Sequence, residues 1–278
     1  MPIIDVHAHC FLEDSFTLDF IEQASIARGG PVDLVTDYGK YWATAPEGTR
    51  TIVWGGKARR SGVWVDDVHV RDLVAAHKGR MIGFLSVDLS QPGWREELRH
   101  GHEVLGLRGV KLLPMYAGFY PNDRAYDDFW EYVGAKELPV ILHAGTTFVR
   151  QAPLDCTRPM HIDDVAIRFP KVKIWMAHLG HPYESETIVI IRKHPNVYAD
   201  VSALFYRPWQ LFQSLMLVQE YGVWPKLLFG TDFPFTTVDD SVAGLRDVGK
   251  IRVDRFQLPL ERIEELIYRD PLPLLGLA

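Results

Sequence analysis

Ile3-Ile4-Asp5-Val6-His7-Ala8-His9 is the stretch on which the reading of this chain turns. Its β-branched opening has strand character, and a strand sends successive side chains to opposite faces. His7 and His9 therefore share one face at the end of the segment, about 7 Å apart along the backbone. An H-x-H pair alone is weak, because half-buried histidines on strands usually find ordinary hydrogen-bond partners. Three later residues strengthen it: His143, His178 and Asp232 each stand near the end of another strand-like run. Imidazole and carboxylate suit a single borderline divalent ion, zinc first and manganese as the alternative.

Working outward, apolar runs of strand length recur at 3–9, 51–55, 81–88, 109–114, 140–145, 172–178, 197–202 and 227–232. Helix-like stretches lie between most of them, at 66–77, 94–105, 123–136, 162–169, 184–193 and 209–221, with a closing one at 261–269. Strands alternating with helices predict a parallel sheet covered by helices, and eight strands with intervening helices predict an α/β fold of the (β/α)₈ TIM-barrel type. Such barrels carry their chemistry at the C-terminal ends of the strands. His7, His9, His143, His178 and Asp232 are all at such ends, so residues spread over more than 220 positions are expected at one mouth.

At 278 residues, 47% hydrophobic and 24% charged, the chain is expected to form one domain over 1–278. The segment at about 11–50 has no clear strand pattern and carries Tyr38, Tyr41 and Trp42; it reads as a lid or a subunit interface. A net charge of -6 without a Lys/Arg run argues against nucleic acid. Two cysteines, Cys10 and Cys156, give no disulfide framework, and Cys10 is expected to be buried and inert. With no signal peptide and no apolar run of spanning length, a cytoplasmic location without membrane association is expected. The expected partner is a small molecule, and self-association is left open.

The segments IIDVHAH, GLRGVKLLP, PVILHAGTTF, RPMHIDDVAIRFPKVKIWMAHLGHP, HPNVYADVS and LLFGTDFPF together resemble the amidohydrolase superfamily. The branch resembled is the amidohydrolase-related one, which holds aminocarboxymuconate-semialdehyde decarboxylase and the resorcylate decarboxylases. The resemblance runs over most of the chain, and it is specific for fold and metal site rather than for substrate. It implies that His7, His9, His143 and Asp232 surround one divalent metal. His178 then takes a catalytic role first and a ligand role second, and His181 belongs to a loop. Binuclear relatives carry a carbamylated lysine where Lys111 stands, but this branch is mononuclear. Lys111 is therefore expected to contact a substrate carboxylate or to form a structural ion pair. The ending Tyr268-Arg269-Asp270-Pro271 departs from the family's usual turn, which puts the docking of the last helix in question.

Two reactions fit this ligand set. In the first expected, a hydrolase acts on an amide, ester or lactone: metal-activated water attacks, Asp232 shuttles the proton and His178 stabilises developing charge. The alternative is a non-oxidative decarboxylase of an aromatic or unsaturated acid, with Asp232 or His178 protonating the carbon that loses carbon dioxide. A barrel that only binds its ligand is the third reading, and it is disfavoured because no ligand is missing. Arg59, Arg150 and Arg207 follow strand ends and are candidates for binding an anionic substrate, each with a solvated surface arginine as its alternative. Tyr116 is a candidate for an apolar wall.

Overall fold

Eight short parallel strands close into a barrel in the computed structural model, which describes residues 1–277. They are Ile4–His9, Arg50–Trp54, Met81–Gly83 continued by Leu85–Ser86, Val110–Leu112, Val140–Leu142, Ile174–Met176, Val197–Asp200 and Leu227–Leu228. The third strand is interrupted at Phe84, which turns its N–H to the Val53 carbonyl while Leu85 donates to Gly109. Val6 N–H donates to the Phe229 carbonyl, and Asp232 N–H to that of His7, so the eighth strand returns to the first. The expected (β/α)₈ architecture is what forms.

Strict alternation fails in the strand that mattered most. Asp5 pairs with Thr51 but Ala8 with Val53, so an extra residue is accommodated between them. Such a bulge bends a strand and re-aims its side chains. It delivers both His7 and His9 to the mouth, while Asp5 stays beneath as a fully buried carboxylate. Asp5 accepts from His7 N–H, Thr231 N–H, the Thr231 hydroxyl and the Tyr41 hydroxyl. These four bonds tie the first strand, the eighth strand and the 11–50 segment together.

The barrel interior is filled by large side chains, among them Val6, Trp54, Phe84, Ile141 and Trp175. Leu272, Leu275 and Leu277 join this cluster. The short helix Leu272–Leu275 therefore docks against the barrel despite the unusual turn before it. A second, larger cluster lies between the strands and the surrounding helices, of which Asp67–Ala76, Asp127–Ala135, Met160–Arg168, Glu184–Lys193 and Pro208–Tyr221 follow the sequence pattern.

Among the described residues, three helices of more than one turn are not read from the pattern: Leu18–Arg28, Tyr38–Thr44 and Val238–Gly249. The first starts at a Thr17 cap and stops at Gly29, whose φ of 73° suits glycine. It exposes Leu18 and Ile26, so no clean apolar stripe marks it. Among the described residues, no helix is long and apolar enough to cross a membrane.

Candidate metal centre and active site

The first, sixth and eighth strands bring His7, His178 and Asp232 together, with one ligand atom from each lying within 4.8 Å of the others, all buried. His7 Nε2 is 3.1 Å from Asp232 Oδ1 yet has no hydrogen-bond partner. A buried imidazole nitrogen left in this way is costly. Two ligands that flank a cation would show the same close approach without hydrogen-bond alignment, so the donor set fits a divalent ion.

The tautomers follow from what surrounds the rings. Asp200 is fully buried, and its Oδ2 lies 2.9 Å from His7 Nδ1. An ionised carboxylate only accepts, so His7 carries a proton on Nδ1, and Nε2, turned toward Asp232, is the nitrogen left for a cation; without one, burial acts to lower the His7 pKa but Asp200 and Asp232 outweigh it and raise it. Ser202 donates its hydroxyl proton to Asp200 Oδ1 at 2.5 Å and can then accept from His178 Nδ1 at 2.9 Å. The Ser202 carbonyl also lies 3.2 Å from His178 Nδ1. His178 is therefore protonated at Nδ1 too, and its Nε2 is free.

Burial pushes His178 and His9 down to about 4 and His143 well below the ordinary histidine range. These rings are neutral and ligand-competent at neutral pH. For Asp232 burial acts upward, but His178, His7 and His9 more than offset it and hold the carboxyl well below its usual range. His178 and Asp232 both occupy the left-handed backbone region, at φ 57° and 65°. That conformation is disfavoured for residues with a Cβ and concentrates at functional sites. Asp200 Oδ1 accepts the His178 N–H, and the His7 carbonyl accepts the Asp232 N–H, which fixes both turns.

His9 lies outside the three-residue cluster but shares its carboxylate, with Nε2 3.0 Å from Asp232 Oδ1. His143 is also outside it; its ring packs 5.1 Å from that of His178. Both line a cavity of ≈ 550 Å³ together with His178 and Asp232. Tyr116 and Arg207 line it as well. Arg59 and Arg150 do not. Residues 57–64 fold back as a hairpin, and the Arg59 guanidinium rests 3.7 Å above Trp64; Arg150 is exposed. Lys111 is 1% exposed and does not reach the cavity, its Nζ standing 4.7 Å from the centre of the Trp54 ring without a hydrogen-bond partner.

Sequence reasoning missed Arg28 and the rings of Phe16, Phe20 and Phe148, all of which line the cavity. The 11–50 segment thus supplies much of the wall. The carboxylate against the His7 ring is Asp200, whereas Asp5 accepts only the His7 backbone N–H.

Gly230 packs behind this centre. A Cβ there would lie 2.8 Å from His7 Cβ and 3.3 Å from Ser202 Cβ. Gly230→Ala is expected to destabilise the fold by about 1–3 kcal/mol, as overpacked cores do, and to weaken metal binding by displacing His7. Thermal melts and metal titration of the variant check this, and unchanged values in both would mean that His7 has room to move.

Known structures share the fold at low sequence identity. An uncharacterised TIM-barrel protein from Bordetella bronchiseptica is 17% identical with a TM-score of 0.76, the match covering 100% of this chain and 99% of that one. A probable 2-pyrone-4,6-dicarboxylic acid hydrolase from Acinetobacter baumannii, with citric acid bound, is 18% identical with a TM-score of 0.66 over 99% and 100%. A dihydroxybenzoic acid decarboxylase from a Polaromonas species, with bound manganese and the inhibitor 2-nitroresorcinol, is 16% identical with a TM-score of 0.65 over 99% and 97%. No curated protein sequence matches. The sequence pattern of the family described as Amidohydrolase matches residues 4–265, nearly the whole length, and the chain belongs to that family.

Proposed function

We propose that this protein is a metal-dependent, non-oxidative decarboxylase of a small hydroxylated aromatic acid. The observation that carries the reading is the cavity: its floor is a neutral imidazole cluster around one anionic carboxylate, and its wall is built from phenyl rings. Phe16 stacks on Phe20 at 4.6 Å, and Phe148 meets Phe20 edge-on at 5.3 Å. Such a wall suits a flat ring. The bound inhibitor and the activity named for the Polaromonas enzyme support the same class. Hydrolysis, the reaction expected first from the sequence, thereby falls behind its alternative.

His7, His178 and Asp232 would hold the ion, with His9 sharing Asp232. A divalent cation there supplies Lewis acidity toward a substrate oxygen; zinc suits the imidazoles, and manganese is the ion named for the Polaromonas enzyme. Among the described residues, Asp232 is the cavity's one acidic side chain. Held anionic, it takes the proton of the substrate hydroxyl and delivers it to the ring carbon as the C–C bond to the carboxylate breaks. The bonding electrons stay on the ring, carbon dioxide leaves, and solvent restores the phenol. His178 stays neutral beside it, its Nδ1–H held by Ser202 and its Nε2 left for the ion. The phenyl wall keeps bulk water from that carbon.

The test is protein stripped by a chelator and reloaded with zinc or manganese, then given hydroxybenzoic acids and, separately, lactones. Metal-dependent release of carbon dioxide from a hydroxybenzoic acid is expected. Lactone opening with no carbon dioxide from any acid would overturn the reading in favour of hydrolysis.

A further inference from the structure

Two arginines stand in the cavity without an ion-pair partner among the described residues. Arg28 ends the helix Leu18–Arg28, and Arg207 precedes the helix Pro208–Tyr221; both line the cavity. Arg95, Arg158, Arg168 and Arg246 make ion pairs with carboxylates. Among the described residues, Arg28 and Arg207 make none. Each guanidinium instead lies over an aromatic ring of the same cavity, Arg28 5.0 Å above Phe235 and Arg207 4.7 Å above Tyr206. Stacking of this kind orients a guanidinium while leaving its N–H edge free for a planar anion.

The cavity's charges are separated. Its one carboxylate, Asp232, is engaged by His7 and His9 at the floor. His181, the remaining lining imidazole, is held by Glu184 at 3.5 Å and by Gln210. The two exposed arginines thus leave two positive charges in the cavity that no described carboxylate pairs with, and neither belongs to the ion-binding residues. A volume of ≈ 550 Å³ is well inside the range for pockets that take drug-sized ligands, so a ring with a second substituent is accommodated.

We propose that the substrate is an aromatic diacid, with one carboxylate directed to the metal-binding floor and the second held by Arg28 and Arg207. This rests on the reading of the cavity as a site for an aromatic acid. It adds a specificity determinant from the 11–50 segment.

Calorimetric titration of the metal-reloaded protein with benzoate, isophthalate and terephthalate tests it without turnover. The better diacid is expected to bind about tenfold or more tightly than benzoate, the scale of a charge-assisted hydrogen bond. Arg28→Gln and Arg207→Gln, both at exposed positions, should each remove most of that preference with metal content and melting temperature unchanged. Added salt should narrow it. Equal affinity for monoacid and diacid, no binding of either, or a preference that survives in one or both variants overturns the proposal. Diacid preference lost in both variants, with no carbon dioxide released from any acid, refutes the decarboxylase reading and leaves this binding site standing.

Discussion

Asp232→Asn is expected to yield a folded barrel that no longer retains its divalent ion and whose turnover falls on the order of 10⁴-fold or more, the scale seen when a residue of a catalytic unit is removed. Asparagine is chosen because it matches the shape of aspartate and tolerates the left-handed backbone, here at φ 65°. The bond from Asp232 N–H to the His7 carbonyl survives the change, so closure of the first strand on the eighth is kept. What disappears is the negative charge at Oδ1, which His7 Nε2 approaches to 3.1 Å and His9 Nε2 to 3.0 Å. Among the described residues, no other carboxylate lines the cavity to replace it. Elemental analysis after dialysis, with kcat at saturating metal, reads both losses. Retention of about one ion per chain with turnover within tenfold of wild type would remove Asp232 from the centre.

Much of this site could be read from the chain because a barrel converts position in sequence into position in space. Once eight strand-like runs are counted, residues at their C-terminal ends must meet at one mouth, and His7, His143, His178 and Asp232 do so from four different strands. What could not be read lies where the rule stops. Arg59 follows the second strand as Arg207 follows the seventh, but a hairpin over 57–64 turns Arg59 onto Trp64. Arg28 sits on a helix of the 11–50 segment with no amphipathic stripe to announce it, so its arrival over Phe235 depends on tertiary packing alone. The helix Val238–Gly249 differs, because Val238, Val242, Leu245 and Val248 recur at helical spacing behind a Thr237 cap, so its signal is present in the sequence although it is not among the stretches read.

Asp200→Asn should weaken metal binding by about 10–100-fold, the usual cost of losing the group that orients a ligand imidazole, although Asp200 does not line the cavity. The argument is one of proton position. Asp200 Oδ2 accepts from His7 Nδ1 at 2.9 Å and so leaves Nε2, on the Asp232 side, as the nitrogen for a cation. An asparagine amide presented to Nδ1 would donate instead, driving the His7 proton to Nε2, where a cation must bind. The same residue accepts the His178 and Ser202 N–H groups, so the variant also loosens the left-handed turn at His178. Burial acts to raise the Asp200 pKa, but His7, His178 and Ser202 more than offset it and hold the group below its ordinary value. A carboxylate depressed in the folded state stabilises the fold fully above its unfolded pKa of about 3.9 and loses that contribution as pH falls further. The melting-temperature deficit of the metal-free variant should therefore be largest near neutrality and narrow below about pH 4. Metal titration of Asp200→Asn beside Asp200→Ala separates the two effects. Alanine removes the acceptor without imposing a donor, so weaker binding in the asparagine variant than in the alanine variant is the expected signature of the inverted tautomer, and the reverse order would refute it.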